Sequence, residues 1–199
     1  MLYARINNCI QRVYARWALI LLAAGYLFSS PLVQYAEAAQ FKSQAKQAIL
    51  IDYDTGAILY QKNADVLVPP ASMSKLATLA VVYDRLQRGI LSMDDTFAVS
   101  EHAWRTGGAP SGTSAMFAPL GKLVTLNDLV QGIAIQSGND ASIVVAEGIA
   151  GNEAAFATMM TDYVRGIGLP KSTFANPTGL PHPEQLMTVR EIAFLAQHL

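Results

Sequence analysis

The sequence predicts an α/β domain in which strands come first and helices follow. Three observations carry this. Two short apolar runs flank turn residues at 54–56, and a proline pair at 69–70 leads into a long run with helical spacing. From residue 125 onward, apolar positions recur at helical spacing behind residues suited to capping.

The chain opens with a basic lead of Arg5, Arg12 and Arg16, followed by an apolar stretch from Trp17 to Phe28. That stretch is shorter than the roughly 20 residues a spanning helix needs. Ala36-Glu37-Ala38 then puts small residues where an exported chain is cut, so residues 1–38 read as a signal peptide rather than an uncleaved anchor. Residues 39–199 remain, with 11 basic and 14 acidic side chains. So mild a balance argues against a nucleic-acid or polyanion partner. The single cysteine, Cys9, leaves with the leader, which removes disulfides and cysteine catalysis and suits an oxidising exported compartment. The remainder is long enough for one substantial core.

Ala48–Asp52 and Ala57–Tyr60 read as strands, with Asp54-Thr55-Gly56 as the turn between them. Val66–Ala71 is expected to be extended, because residues before proline avoid the α region. A helix then starts near Ser72, with Leu76, Leu79, Ala80, Tyr83 and Leu86 on its apolar stripe. Arg85 and Arg88 lie in its last turn and Gly89 stops it. Residues 107–114 form a glycine-rich loop, either a cleft wall or an ordinary surface loop. Helices follow near 125–136, 141–150 and 152–165, and a last one begins at Thr188 with Glu191 three positions on. No repeat, low-complexity tract or linker divides residues 39–199.

Ser72-Met73-Ser74-Lys75 opens the first helix, and residues three apart share a helix face. A serine hydroxyl becomes a useful nucleophile only beside a base. A lysine serves as that base when burial or charge brings its pKa towards working pH. With 12 serines and six lysines, chance supplies about 0.4 such tetrads. Ser43-Gln44-Ala45-Lys46 is a second copy, in a polar stretch with no amphipathic helix behind it, and reads as chance or a solvated helix start. Ser137-Gly138-Asn139-Asp140 lies between two predicted helices, where a side chain can project into a cleft. Its composition equally suits a plain turn.

Taken together, Val68-Pro69-Pro70-Ala71-Ser72-Met73-Ser74-Lys75-Leu76, Gln136-Ser137-Gly138-Asn139-Asp140-Ala141 and Phe174-Ala175-Asn176-Pro177-Thr178-Gly179-Leu180-Pro181 resemble the low-molecular-mass penicillin-binding proteins, serine-type D-alanyl-D-alanine carboxypeptidases. The resemblance runs from about Ala48 to Leu199. It implies the penicillin-binding/serine β-lactamase-like transpeptidase fold, with N-terminal strands and a helical subdomain. It implies that Ser72 attacks the D-Ala–D-Ala bond of a peptidoglycan stem peptide, that Lys75 accepts its proton, and that Ser137 relays a proton to the leaving D-alanine. Asn139 is implied to orient the substrate amide. β-Lactam antibiotics would acylate the same serine, and no cofactor is called for. The setting implied is the periplasm or cell envelope, at the outer face of the inner membrane if a segment beyond Leu199 anchors the protein.

One departure stands against these matches. The family's third element, Lys-Thr-Gly on a strand, occurs nowhere in the 199 residues. The expectation is therefore of a C-terminally truncated carboxypeptidase catalytic domain over 39–199, with later sheet strands missing and little activity by itself. Three other functions compete: a catalytically incomplete β-lactam- or peptidoglycan-binding remnant, a serine β-lactamase, and an endopeptidase or transpeptidase. The β-lactamase reading lacks a Glu-x-x-Leu-Asn-like segment after Ser137. His102, His182 and His198 are scattered without metal-ligand spacing, and no Gly-x-Ser-x-Gly elbow exists. No Gly-Lys-Ser/Thr follows the 107–112 loop to cradle phosphate. Met159 and Met160 read as core packing.

Overall fold

A computed structural model describes residues 41–199. The signal peptide expected at residues 1–38 lies outside the described residues. Strand β1 (Ala48–Ile51) pairs antiparallel with β2 (Ile58–Lys62), and a bulge between Leu50 and Ile51 shifts the register. The predicted turn joins them: the Asp52 carboxylate accepts from the Thr55 N–H at 2.9 Å, and the Gly56 N–H closes onto the Asp52 carbonyl at 2.9 Å. The polar Ser43–Lys46 stretch just before β1 is irregular, with bends at Ala45 and Lys46, rather than helix.

The expected helix start differs in detail. Ala71–Ser74 is a 3₁₀ turn, and helix α1 runs Lys75–Gln87 behind it. A 3₁₀ turn has three residues per revolution, so positions three apart eclipse. Ser72 and Lys75 are therefore stacked more directly than an α-helical turn would place them. The approach also departs from the expected extended path: Val68 makes a β-bridge to Met187, but Pro70 is already helical and Ala71 is left-handed at φ 49°. Gly89, at φ 68°, ends the helix as the sequence predicts.

Three further short elements follow: β3 (Thr96–Ala98), helix α2 (Glu101–Thr106) and β4 (Leu123–Thr125), which pairs antiparallel with β3. These are too short for periodicity to reveal. The remaining helices are α3 (Leu126–Gln136), α4 (Asn139–Ala150), α5 (Glu153–Gly166) and α6 (Val189–His198). Thr125, Asn152 and Thr188 cap α3, α5 and α6 through side-chain oxygens.

Helix α4 is the core of the fold. Ala141 and Ile143–Ala146 are buried on all sides, because α2, α3, α5 and β3 pack around them. A helix that is apolar all round needs such enclosure. Met160 is fully buried and Met159 packs at the edge of the same core. Glu191 departs from a capping box: its carboxylate leaves the α6 start and accepts from the Lys171 N–H at 2.9 Å and the Ser172 hydroxyl at 2.5 Å. It thus ties residues 171–172 to α6.

Candidate active site

Ser72 is exposed on the 3₁₀ turn, whereas Lys75 one turn later is only 4% exposed. The Lys75 Nζ donates to Asn139 Oδ1 at 2.7 Å and to the Thr178 backbone carbonyl at 2.6 Å, and lies 3.4 Å from Ser72 Oγ. Burial of the ammonium lowers the Lys75 pKa from 10.5 to about 8. The two close acceptors favour the charged form, so desolvation outweighs them. A neutral amine has two N–H donors and one lone pair. Asn139 and Thr178 take the donors, and the lone pair is left for the Ser72 side.

Asn139 is not on a connector, as the sequence suggests, but is the first residue of α4. Only Ser137 and Gly138 separate it from α3, and Ser137 caps that helix in the left-handed region at φ 54°. This sharp reversal lets both residues of the Ser-x-Asn motif approach the α1 start. The Asn139 amide Nδ2 donates to Thr113 Oγ1 at 3.0 Å, which fixes its Oδ1 towards Lys75. The Ser137 Oγ is buried and has no hydrogen-bond partner among the described residues. It shares with Ser72 and Lys75 the wall of a cavity of about 350 Å³, otherwise lined by Met73, Leu76, Leu79, Ile133 and Ala134. A second cavity, of about 480 Å³, opens on the other side of Ser72 between Gly112–Ser114 and Thr178–Pro181. The glycine-rich loop is thus a cleft wall, and Ser72 stands where the two cavities meet.

Sequence reasoning missed the supports of this arrangement. Asp140 is fully buried, and its carboxylate accepts from the backbone N–H groups of Met116, Ala118 and Ala141 at 2.9, 3.0 and 2.9 Å. It clamps the 113–118 segment to the start of α4. Gly107 passes so close that a Cβ there would lie 2.5 Å from the Asp140 nitrogen. On the other wall, Gly179 sits at φ 84° with its would-be Cβ 2.0 Å from the Ala71 carbonyl oxygen. Only glycine allows the 176–180 segment to press against the turn that carries Ser72. Thr178 reaches Lys75 through its carbonyl, a contact that no side-chain pattern could mark.

The fold is that of the penicillin-binding proteins. Penicillin binding protein 5 from Haemophilus influenzae superposes with a TM-score of 0.75 at 36% identity, over 79% of this chain and 45% of that one. The family model described as D-alanyl-D-alanine carboxypeptidase matches residues 33–199, and the chain belongs to that family. D-alanyl-D-alanine carboxypeptidase DacF of Bacillus subtilis is 37% identical over 161 residues, covering 81% of this chain and 40% of the relative. The DacC carboxypeptidase of Escherichia coli is 38% identical over 184 residues, covering 89% and 46%. The chain therefore spans less than half the length of the curated relatives it matches.

Proposed function

We propose that the chain supplies the nucleophile and base of a serine D-alanyl-D-alanine carboxypeptidase. One observation carries the reading: a buried lysine with a lowered pKa reaches both Ser72 and Asn139. In this reading the neutral Lys75 amine takes the Ser72 proton as Oγ attacks the carbonyl of the D-Ala–D-Ala bond. The tetrahedral centre collapses, the C–N bond breaks, and a proton delivered through Ser137 lets D-alanine depart. Water then cleaves the Ser72 ester and regenerates the hydroxyl. Asn139 holds the substrate amide while anchoring Lys75. A β-lactam opens on the same oxygen and leaves a slower-hydrolysing ester.

The substrate is the stem peptide of peptidoglycan, and the working compartment is the cell envelope, reached through a leader at 1–38. Residues 39–199 act as part of a catalytic domain, a reading supported by their match to less than half the length of the curated carboxypeptidases. Among the described residues no helix is long and apolar enough to cross a membrane.

The test uses the full-length gene product and its Ser72→Ala variant with labelled penicillin and a pentapeptide ending in D-Ala-D-Ala. Labelling and D-alanine release by the wild type alone support the reading. Equal labelling of both proteins overturns Ser72 as nucleophile, and binding without release makes the chain a binding remnant.

A further inference from the structure

We propose that Gln185 and Asn176 are positioning residues that hold the Thr178 carbonyl against Lys75 Nζ and so aim the amine at Ser72. The proposal rests on the reading that Ser72 and Lys75 are the acyl-transfer pair. Neither residue touches the nucleophile or the base; each acts through the backbone of 175–179.

The geometry is layered. Gln185 is 1% exposed, and its Oε1 accepts from the N–H groups of Ala175 at 2.7 Å and Asn176 at 3.1 Å, while Nε2 donates to the Asn176 carbonyl at 3.3 Å. Both polar ends of this one buried amide are thus spent on the backbone that enters the loop. Asn176 Oδ1 in turn accepts from the Thr178 N–H at 3.2 Å, the Thr178 hydroxyl at 2.9 Å and the Gly179 N–H at 2.8 Å. Its Nδ2 donates to the Leu180 carbonyl at 3.0 Å. These bonds curl the loop so that its carbonyls point inward. Pro177 offers its carbonyl to the Thr78 hydroxyl at 2.8 Å, and Thr178 offers its own to Lys75 at 2.6 Å. The helix bearing the base and the loop bearing its acceptor are thereby stitched together one turn apart.

Gln185 itself is fixed by what flanks it. Leu186 bridges to Thr173, and Met187 exchanges backbone hydrogen bonds with Val68 at 2.9 and 3.0 Å. Val68 lies four residues before Ser72, so the bridged segment that directly follows Gln185 also seats the approach to the nucleophile. A single element sets the positions of Ser72 and of the acceptor on Lys75. Removing the acceptor frees one amine N–H to turn towards Ser72, and it removes a group that stabilises the ammonium.

The test measures the titration of Lys75 directly, by NMR of the lysine Cε in the full-length gene product labelled with ¹³C-lysine. Lys75→Arg assigns the resonance. Gln185→Met and Asn176→Ala are each expected to lower the Lys75 midpoint by about one pH unit, the equivalent of one hydrogen bond to a charged group. The plateau rate of acylation by labelled penicillin should fall about 10–10²-fold with penicillin affinity unchanged. The double variant should do no more than the stronger single one, because both act on one loop. Gln185→Glu keeps an acceptor for the Ala175 and Asn176 N–H groups and should hold the midpoint at or above that of the wild type. Leu195→Ala, a core change elsewhere, should leave it unmoved. An unchanged midpoint in either folded variant, or an equal shift in Leu195→Ala, overturns the proposal. Should Gln185→Met not fold, the half-buried Asn176→Ala carries the same test. Absence of penicillin acylation in the wild type would sink the acyl-transfer reading, yet the Lys75 titration would still be readable and would judge the loop by itself.

Discussion

Lys75 Nζ and Asn139 Oδ1 lie 2.7 Å apart although 64 positions separate them in sequence. The contact joins the first residue of α1 to the first residue of α4. It takes one of the amine's donors and buries Lys75 against the most enclosed helix of the fold. Four expectations follow from the arrangement around this pair.

Acylation of Ser72 should rise with pH. In the proposed mechanism the proton acceptor is the neutral amine, whose fraction grows as pH passes through the Lys75 pKa of about 8. Since the value in the unfolded chain is 10.5, the unfolded state holds the extra proton between about 8 and 10.5. The burial cost is therefore fully present below about 8 and is relieved as pH climbs to 10.5. Penicillin acylation rates from pH 6 to 10 check the first statement, and urea midpoints over the same range check the second. A rate flat across pH 8 would remove Lys75 as the base.

Lys75→Met should cut acylation by about 10²–10⁴-fold, the usual worth of a positioned base. Its stability cost should stay small at pH 7, since the change also removes a desolvated ammonium. Single-turnover labelling and thermal unfolding separate the two effects.

Ser137→Gly should slow acyl transfer without destabilising the fold. The buried Ser137 Oγ has no partner among the described residues, so its loss breaks no hydrogen bond to them. Glycine also tolerates the left-handed φ of 54° better than serine does. Stability should be unchanged or higher by up to about 1 kcal/mol. A clear loss of stability would show that the hydroxyl is structural.

Gly179→Ala and Asp140→Asn test the two walls. Alanine at 179 meets the Ala71 carbonyl oxygen at 2.0 Å and an unfavourable φ of 84°. It should cost about 3 kcal/mol or more from overpacking and strain together. Asparagine at 140 turns an N–H group towards backbone donors that a carboxylate satisfied, at a cost of about 1–3 kcal/mol. Denaturant midpoints measure both. Loss of acylation beyond that explained by unfolding should accompany Gly179→Ala, because the clash falls on the turn that carries Ser72.

The order of the main elements and the Ser72–Lys75 spacing are legible in the residues alone. These depend on short-range rules: apolar spacing, cap residues and a separation of three positions. The caps at Thr125 and Thr188 and the stop at Gly89 are local in the same sense. Packing between distant segments sets the rest: Lys75 is dry, Asn139 begins a helix, and the Thr178 carbonyl, 103 positions from Lys75, is its second acceptor. The same holds for Asp140 and Gln185, whose roles lie in distant backbone groups. Desolvation and backbone hydrogen bonding depend on which segments pack together, and periodicity along a chain carries no record of its partners.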